Sequence, residues 1–267
     1  MKKDQISINL ESLQDRMGNT VEIRETMKGL KEAGYEYVEV LHFLNPDDGT
    51  TWKEILDECG MHASSIHELY EDIEKEPERM VEKAKSLGCK YIACGLSRFT
   101  VWEDENSLKE LTDGLNRLGK YFKEQGLELL YHNHNMEFAK YDGKHTALEY
   151  IFANTAPEVV GAELDAYWVH LSGSTPAAWC QKLGRRLKAI HLKDLGVTGI
   201  STPEKYIKTP SVMALGYGNL DIEGIVKAAD EAGCQWFIVE THTGWINNDS
   251  LYTAGLSYKY LMNLSEN

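Results

Sequence analysis

The chain is poor in the features that mark several protein classes. Its five cysteines (Cys59, Cys89, Cys94, Cys180 and Cys234) are odd in number, scattered and without CxxC spacing. That excludes a disulfide framework or a zinc knuckle and leaves them as small buried apolar side chains. Positive charge is scarce too, with 28 Lys and Arg against 42 Asp and Glu and a formal net charge of -14. Binding along a phosphate backbone draws on clustered basic residues, so no nucleic acid partner is expected and a small molecule fits better. No run is apolar enough to span a membrane, and Met1-Lys2-Lys3-Asp4-Gln5 leads into the apolar Ile6 to Leu10 without a signal-peptide core. A cytoplasmic protein with no membrane partner is expected. No Pro/Gly/Ser-rich linker or charge block divides the 267 residues, and a 42% hydrophobic content can bury a large core. One domain over 1–267 is therefore expected.

What is present is a repeated joint, in which an amphipathic helix ends at a glycine and an apolar strand starts at once. It occurs at Gly34 before Tyr35 to Val40, Gly60 before Met61 to Ile66, Gly88 before Cys89 to Cys94, Gly126 before Leu127 to His134, and Gly233 before Cys234 to Glu240. Glycine suits the left-handed position that ends a helix, and the following strand packs back against it. Ile6 to Leu10, Val159 to Asp165 and Leu187 to Lys193 complete eight strands. Helices are predicted over 20–33, 51–59, 77–87, 107–125, 146–154, 175–186, 221–232 and 250–264, with Thr20, Thr50, Ser107 and Asp249 as caps. Eight β/α units of roughly 33 residues match a (β/α)8 TIM barrel of the α/β class. The runner-up, a doubly wound open sheet, would carry a Gly-rich turn after the first strand, and Glu11-Ser12-Leu13 stands there instead.

The most polar stretch is Tyr131-His-Asn-His-Asn-Met-Glu-Phe138, at the end of the fifth strand. Side chains alternate between the two faces of a strand, so functional groups should be out of phase with residues that pack on the helices. Val38 and Val40 alternate with Glu39, Leu129 and Tyr131 with His132 and His134, Leu164 with Asp165, Ile190 and Leu192 with His191 and Lys193, and Val239 with Glu240. All these polar residues lie near strand C-termini, where barrel active sites are built. A single His or Glu at a strand end is more often a hydrogen-bonded structural group. Several carboxylates converging on imidazoles would repel one another unless a cation or protons compensated them, which points to a divalent metal: Mn, Co, Zn or Mg.

Four motifs, Tyr131-His-Asn-His134 with Met136-Glu-Phe138, Glu163-Leu-Asp-Ala-Tyr-Trp168, Ile190-His-Leu-Lys-Asp194 and Val239-Glu240, resemble the xylose-isomerase-like TIM-barrel superfamily. That superfamily holds sugar phosphate isomerases and epimerases, inosose dehydratase and, more distantly, endonuclease IV. The resemblance implies Asp165, His191 and Glu240 as metal ligands, with Glu137 or His132 as the fourth; Glu137 is preferred because a hard cation favours carboxylate oxygen. It further implies a metal-dependent sugar isomerase or epimerase acting on a keto sugar or polyol, with Glu240 as base and His132, His134 or Glu137 opposite. The alternatives are a metal-dependent dehydratase or lyase on a keto-cyclitol or keto-glycoside, an endonuclease IV-like nuclease, and a non-catalytic sugar-binding barrel. His67, Trp168, Lys193 and Glu39 are candidate substrate contacts, Lys193 and Asp194 also as residues orienting His191. The connection from Gly196 to Asn219 is expected to close over the site. Tyr252, Tyr258 and Tyr260 on the last helix are candidates for a homo-oligomer contact.

Overall fold

A computed structural model of the chain describes residues 1–197 and 210–265. The strands are β1 (Ile6–Asn9), β2 (Tyr37–Leu41), β3 (His62–Glu68), β4 (Tyr91–Cys94), β5 (Glu128–His132), β6 (Val160–Asp165), β7 (Leu187–Leu192), β8 (Asp194–Gly196), β9 (Ser211–Met213) and β10 (Trp236–Val239). Strands β1 to β7 and β10 close into one parallel barrel in the order β1-β10-β7-β6-β5-β4-β3-β2. The eight predicted strands are these eight. β8 and β9 form a separate antiparallel hairpin above the barrel end, too short to leave a periodic signal in sequence.

Helices α1 (Thr20–Ala33), α2 (Trp52–Cys59), α4 (Pro77–Leu87), α5 (Glu105–Glu124), α6 (Ala147–Asn154), α8 (Pro176–Leu183), α9 (Ile222–Ala232) and α10 (Ser250–Ser265) fall where the sequence places them. Two single-turn helices, α3 (Tyr70–Lys75) and α7 (Ala166–Leu171), are additions. Three of the expected caps are displaced, two by one residue and the third, Ser107, by three. Asn19, Thr51 and Asp104 accept the first-turn amides of α1, α2 and α5. Thr20 instead bonds Asp47, and the Ser107 hydroxyl accepts the Val101 amide. Asp249 does cap α10, accepting from the Tyr252 amide at 3.0 Å.

The helix-to-strand joints rest on left-handed glycines. Gly34 has φ 113° and Gly60 has φ 62°. A Cβ on Gly34 would run into the Tyr258 ring, whereas one on Gly60 would meet nothing within 4 Å. Gly60→Ala is thus expected to cost about 1 kcal/mol of backbone strain, and Gly34→Ala roughly 2–3 kcal/mol, readable as a difference in urea midpoints. The same contact places Tyr258 inside the fold: its ring lies 4.8 Å from Tyr35 and it is buried, so of the three tyrosines only Tyr252 is exposed.

Strand parity divides the interior into two apolar regions. Val38, Val40, Leu129, Tyr131, Leu164, Ile190, Leu192 and Val239 belong to the large core between strands and helices. Tyr91, Leu130, Ala189 and Ile238 form a second, small cluster with Trp236 against it. Leu130, Ala189 and Ile238 each stand two residues before His132, His191 and Glu240, so they share the lumen-facing parity. They close the barrel below those polar groups, whose desolvation follows. Residues 198–209, in the middle of the connection expected to close over the site, lie outside the described residues.

Candidate active site

Lumen-facing residues of β2, β3, β5, β6 and β7, with Lys193 and Glu240 just past β7 and β10, build one buried polar cluster. His191 is its hub. Its Nδ1 lies 2.5 Å from Glu240 Oε2 and its Nε2 lies 2.8 Å from Glu39 Oε2. Glu39 also accepts from Asn9 Nδ2 at 2.7 Å and from the Ser65 hydroxyl at 2.7 Å, and meets His67 Nδ1 at 3.3 Å. Glu163 Oε2 lies 3.2 Å from His132 Nδ1, 3.5 Å from His67 Nδ1 and 3.6 Å from His191 Nε2. Lys193 Nζ stands 2.8 Å from Asp165 Oδ2 and 2.9 Å from Glu240 Oε1 in ion-pair contact. His242 Nδ1 completes the Glu240 environment at 3.1 Å.

Charge is distributed unevenly. Burial alone would depress His191, but Glu39 and Glu163 outweigh it and hold the imidazolium well above its usual range. Burial likewise pushes Glu39 and Glu240 up, and the cations beside them, His191 for the first and Lys193 for the second, bring both well below the ordinary carboxylate range. Glu163 has no such cation to itself: burial and the Glu39 carboxylate push it well up. Burial raises Asp165 with Lys193 opposing. Burial and neighbouring imidazoles push His132 well down, and burial with the Lys193 charge takes His134 down to about 3, so both rings are neutral at pH 7.

The cluster opens on a cavity of about 260 Å³ whose walls include Asn9, Leu41, His42, Phe43, His67, Leu69, Leu96, Arg98, His132, His134, Lys193 and Glu240. Of the sequence candidates, His67, His132, His134, Lys193 and Glu240 face it. Trp168 stands beside it, its ring 6.0 Å from His134 and under Lys193 at 5.3 Å. Glu39 lies behind the imidazoles, fully buried, and Asp165 is spanned by Lys193 and the α7 amide of Trp168 at 3.1 Å. Two sets of buried donors have all their ligand atoms within 4.8 Å of one another: His67, His132, Glu163 and His191, and Asp165, His191 and Glu240.

Glu137 is not brought to either set. Strand β5 ends at His132, and the short 3-10 turn Met136–Phe138 turns the Glu137 carboxylate back onto the chain that precedes it. There it accepts from the Tyr131 hydroxyl and the His134 amide, each at 3.0 Å. Burial pushes its carboxyl up to about 7 despite these bonds. A carboxyl raised in the folded state stabilises the fold most below its unfolded value near 4.5 and loses that contribution as pH rises to 7, by about 3 kcal/mol at most. Glu137→Gln should therefore flatten the stability profile between about pH 4.5 and 7, read by urea melts of both proteins across that range. Asp194 is likewise turned from the cluster. Its carboxylate accepts the backbone amides of Leu195, Gly216, Gly218 and Leu220 at 2.8 to 3.1 Å, which fastens the return of the long connection.

Glu163, Asn9, Ser65, His42 and Arg98 carry the site further than the sequence candidates do. Glu163 shares the parity of Asp165 two residues on, the signal by which it was legible. His42 and Arg98 sit in loops, where no period fixes direction.

Comparison with known proteins agrees with the fold. An inosose dehydratase from Lacticaseibacillus casei is 25% identical over 273 residues, 92% of this chain and 90% of that protein. An inosose dehydratase from Clostridium beijerinckii is 28% identical over 145 residues, which span 51% of this chain and about half, 48%, of that relative. A crystal structure of a sugar phosphate isomerase/epimerase from Parabacteroides distasonis superposes with a TM-score of 0.78 over 99% of this chain and 95% of that one; at 23% identity it is a likeness of fold. The family model described as xylose isomerase-like TIM barrel matches residues 27–260. With the closed eight-stranded barrel, the strand-end cluster and that match over most of its length, the chain belongs to the xylose isomerase-like TIM barrel family.

Proposed function

We propose that the protein is a divalent-metal-dependent enzyme that removes the proton beside the carbonyl of a keto sugar, keto cyclitol or related polyol. The observation that carries the reading is Glu240: a carboxylate on the cavity wall, kept ionised by the Lys193 ammonium 2.9 Å away. An ionised carboxylate so fixed is a positioned base, and the Lys193 ammonium beside it is a donor for the oxygen on which charge develops. His134, neutral and on the cavity wall, is a candidate partner for a substrate hydroxyl.

Whether the residues suit a metal is tested by the cluster itself. Glu163 is fully buried and its Oε1 has no hydrogen-bond partner, while donor atoms of His67, His132 and His191 lie within 4.8 Å of its carboxylate. Mixed imidazole and carboxylate donors fit Zn, Mn or Co, and both donor sets are candidates to hold the ion. A bound ion would polarise the substrate carbonyl as a Lewis acid.

Return of the proton to carbon gives isomerisation or epimerisation. A second reading, loss of a β-hydroxyl or other β-substituent, is favoured by the position of Glu137: with that carboxylate turned away, the β5 wall offers imidazoles, and a two-carboxylate exchange lacks its second member. The full-length similarity to an inosose dehydratase supports the same reading. Incubation with a panel of keto sugars and keto cyclitols in deuterated buffer tests both. Deuterium at carbon in recovered sugar marks epimerisation, and a new ultraviolet enone band with loss of water marks elimination. Neither signal from any substrate in the panel, with Mn, Co or Zn present, would count against the proposal.

A further inference from the structure

The cavity has two unlike halves. One carries the chemistry, with Glu240, Lys193, His132 and His134 on its wall. In the closed barrel order, β2, β3 and β4 stand across from β6, β7 and β10. The residues just past those three strands make the other half, and they are of a different kind. Leu41 ends β2, Leu69 follows β3 and Leu96 follows β4, all three on the cavity wall. Phe43, two residues past β2, lines the same half and is 46% exposed. A free sugar carries hydroxyls on nearly every carbon. A hydroxyl set against these leucines would give up its bond to water and gain none, which is costly. This half therefore receives a part of the substrate that has no polar edge.

Two features single out a flat ring among apolar groups. The His42 amide donates to the His67 carbonyl at 3.1 Å, and the His42 ring meets Phe43 edge-on, with centroids 4.9 Å apart and planes at 80°. The Phe43 ring is thus braced from one side and open on another, where a second ring can stack or meet its edge. Arg98 is held by its backbone: its amide donates to Glu71 Oε1 at 2.7 Å, and the adjoining Ser97 hydroxyl lies 2.7 Å from that of Thr100. Its guanidinium lines the cavity without a hydrogen bond or ion pair among the described residues. A planar cation so placed in an apolar wall lies well against an aromatic face. An acidic group such as a phosphate suits the place less. No second cation joins Arg98 in this half, and the carboxylates of Glu11, on the cavity wall, and of Glu71, bonded to the Arg98 amide, would repel it.

We propose that Leu41, Phe43, Leu69, Leu96 and Arg98 form a subsite for an aromatic substituent, so that the preferred substrate is an aryl glycoside of a keto sugar and not the free sugar. The inference rests on the reading of the catalytic half given above, with the sugar ring against Glu240 and Lys193 and the aryl group against the loops after β2, β3 and β4.

The full chain supplied with Mn, Co or Zn is tested with methyl, cyclohexyl and phenyl glycosides of one keto hexose, deuterated beside the carbonyl, and kcat/KM is read from deuterium released to water. The phenyl glycoside should exceed the methyl by at least about tenfold, the step expected for covering a ring, with the cyclohexyl between them. Equal values for all three, or a preference for the 6-phosphate of the free keto hexose, would overturn the subsite and leave proton abstraction standing. A cyclohexyl glycoside as good as the phenyl would overturn its aromatic character. Calorimetric titration of Glu240→Gln with the same glycosides gives a readout free of turnover. Phenyl binding at least about tenfold tighter than methyl supports the subsite even if no keto sugar is turned over, and equal binding refutes it. Phe43 and Arg98 are both exposed, so their replacement leaves the core in place. Phe43→Ala and Arg98→Ala should each cut the phenyl-to-methyl ratio by about threefold or more. A ratio unchanged in both variants would refute the assignment of these two residues.

Discussion

Replacement of Lys193 by methionine is expected to remove roughly 3–5 kcal/mol from the stability of the metal-free protein at pH 8. The reason is the identity of its neighbours. With the ammonium gone, Asp165 loses its cation in a fully buried position, while Glu240 is left with its histidine partners His191 and His242. The burial penalty on Lys193 is outweighed in the wild type by these two carboxylates, which raise its pKa above the ordinary lysine value. The ammonium is therefore charged at every pH below about 10, and the stability it contributes at pH 8 is lost on the alkaline side as pH rises through the folded value. In the variant the penalty depends on pH in the other direction. Asp165, already raised by burial, takes up a proton first, so the loss relative to wild type should shrink between pH 8 and pH 5. Urea unfolding of both proteins in chelator at the two pH values measures this. An equal loss at both would show that methionine fails through packing and not through the orphaned charge.

Glu240→Gln should behave in the opposite way, with catalysis severely impaired and the fold nearly intact. The amide cannot accept the substrate proton, and a fall in kcat of about 10²–10⁴-fold is expected. Stability changes little because Lys193 keeps Asp165 as a one-to-one partner. Solvent deuterium exchange into substrate carbon should vanish with kcat, while KM moves less than about threefold, since a glutamine of the same shape still meets hydroxyls. The held-down pKa of Glu240 adds a signature: the acid limb of the rate profile should lie below the usual glutamate range. Wild-type-like deuterium exchange in Glu240→Gln would assign the base to another residue.

Much of this architecture was legible in the sequence, for reasons that also explain what was not. Helix-ending glycines followed by apolar strands mark the barrel because a left-handed stop and a buried parallel strand each have a residue requirement. The convergence of His132, Asp165, His191 and Glu240 follows from a period of two applied at strand ends. Glu163 obeys the same period and lies one pleat deeper, where a strand residue reads as structural. Glu137 and Asp194 illustrate the limit. Glu137 lies in the turn after β5 and Asp194 opens β8, and their carboxylates were captured by neighbouring backbone amides. Local hydrogen bonding decided their direction, and no sequence period encodes it. The lysine between two carboxylates was equally hidden, because it depends on the relative depth of three side chains from three different strand ends.

The four amides held by Asp194 carry a consequence for how this barrel can diversify. The carboxylate and the β8–β9 hairpin fasten together the two stems from which residues 198–209 depart, so the closure cost of that segment is borne by its base. Adding or exchanging residues between such fixed stems changes the loop entropy only slowly, by about 0.6 kcal/mol per doubling of length. A chain of different length between Gly196 and Ser211 is therefore expected to leave the clasp, and Lys193 one residue before Asp194, in place.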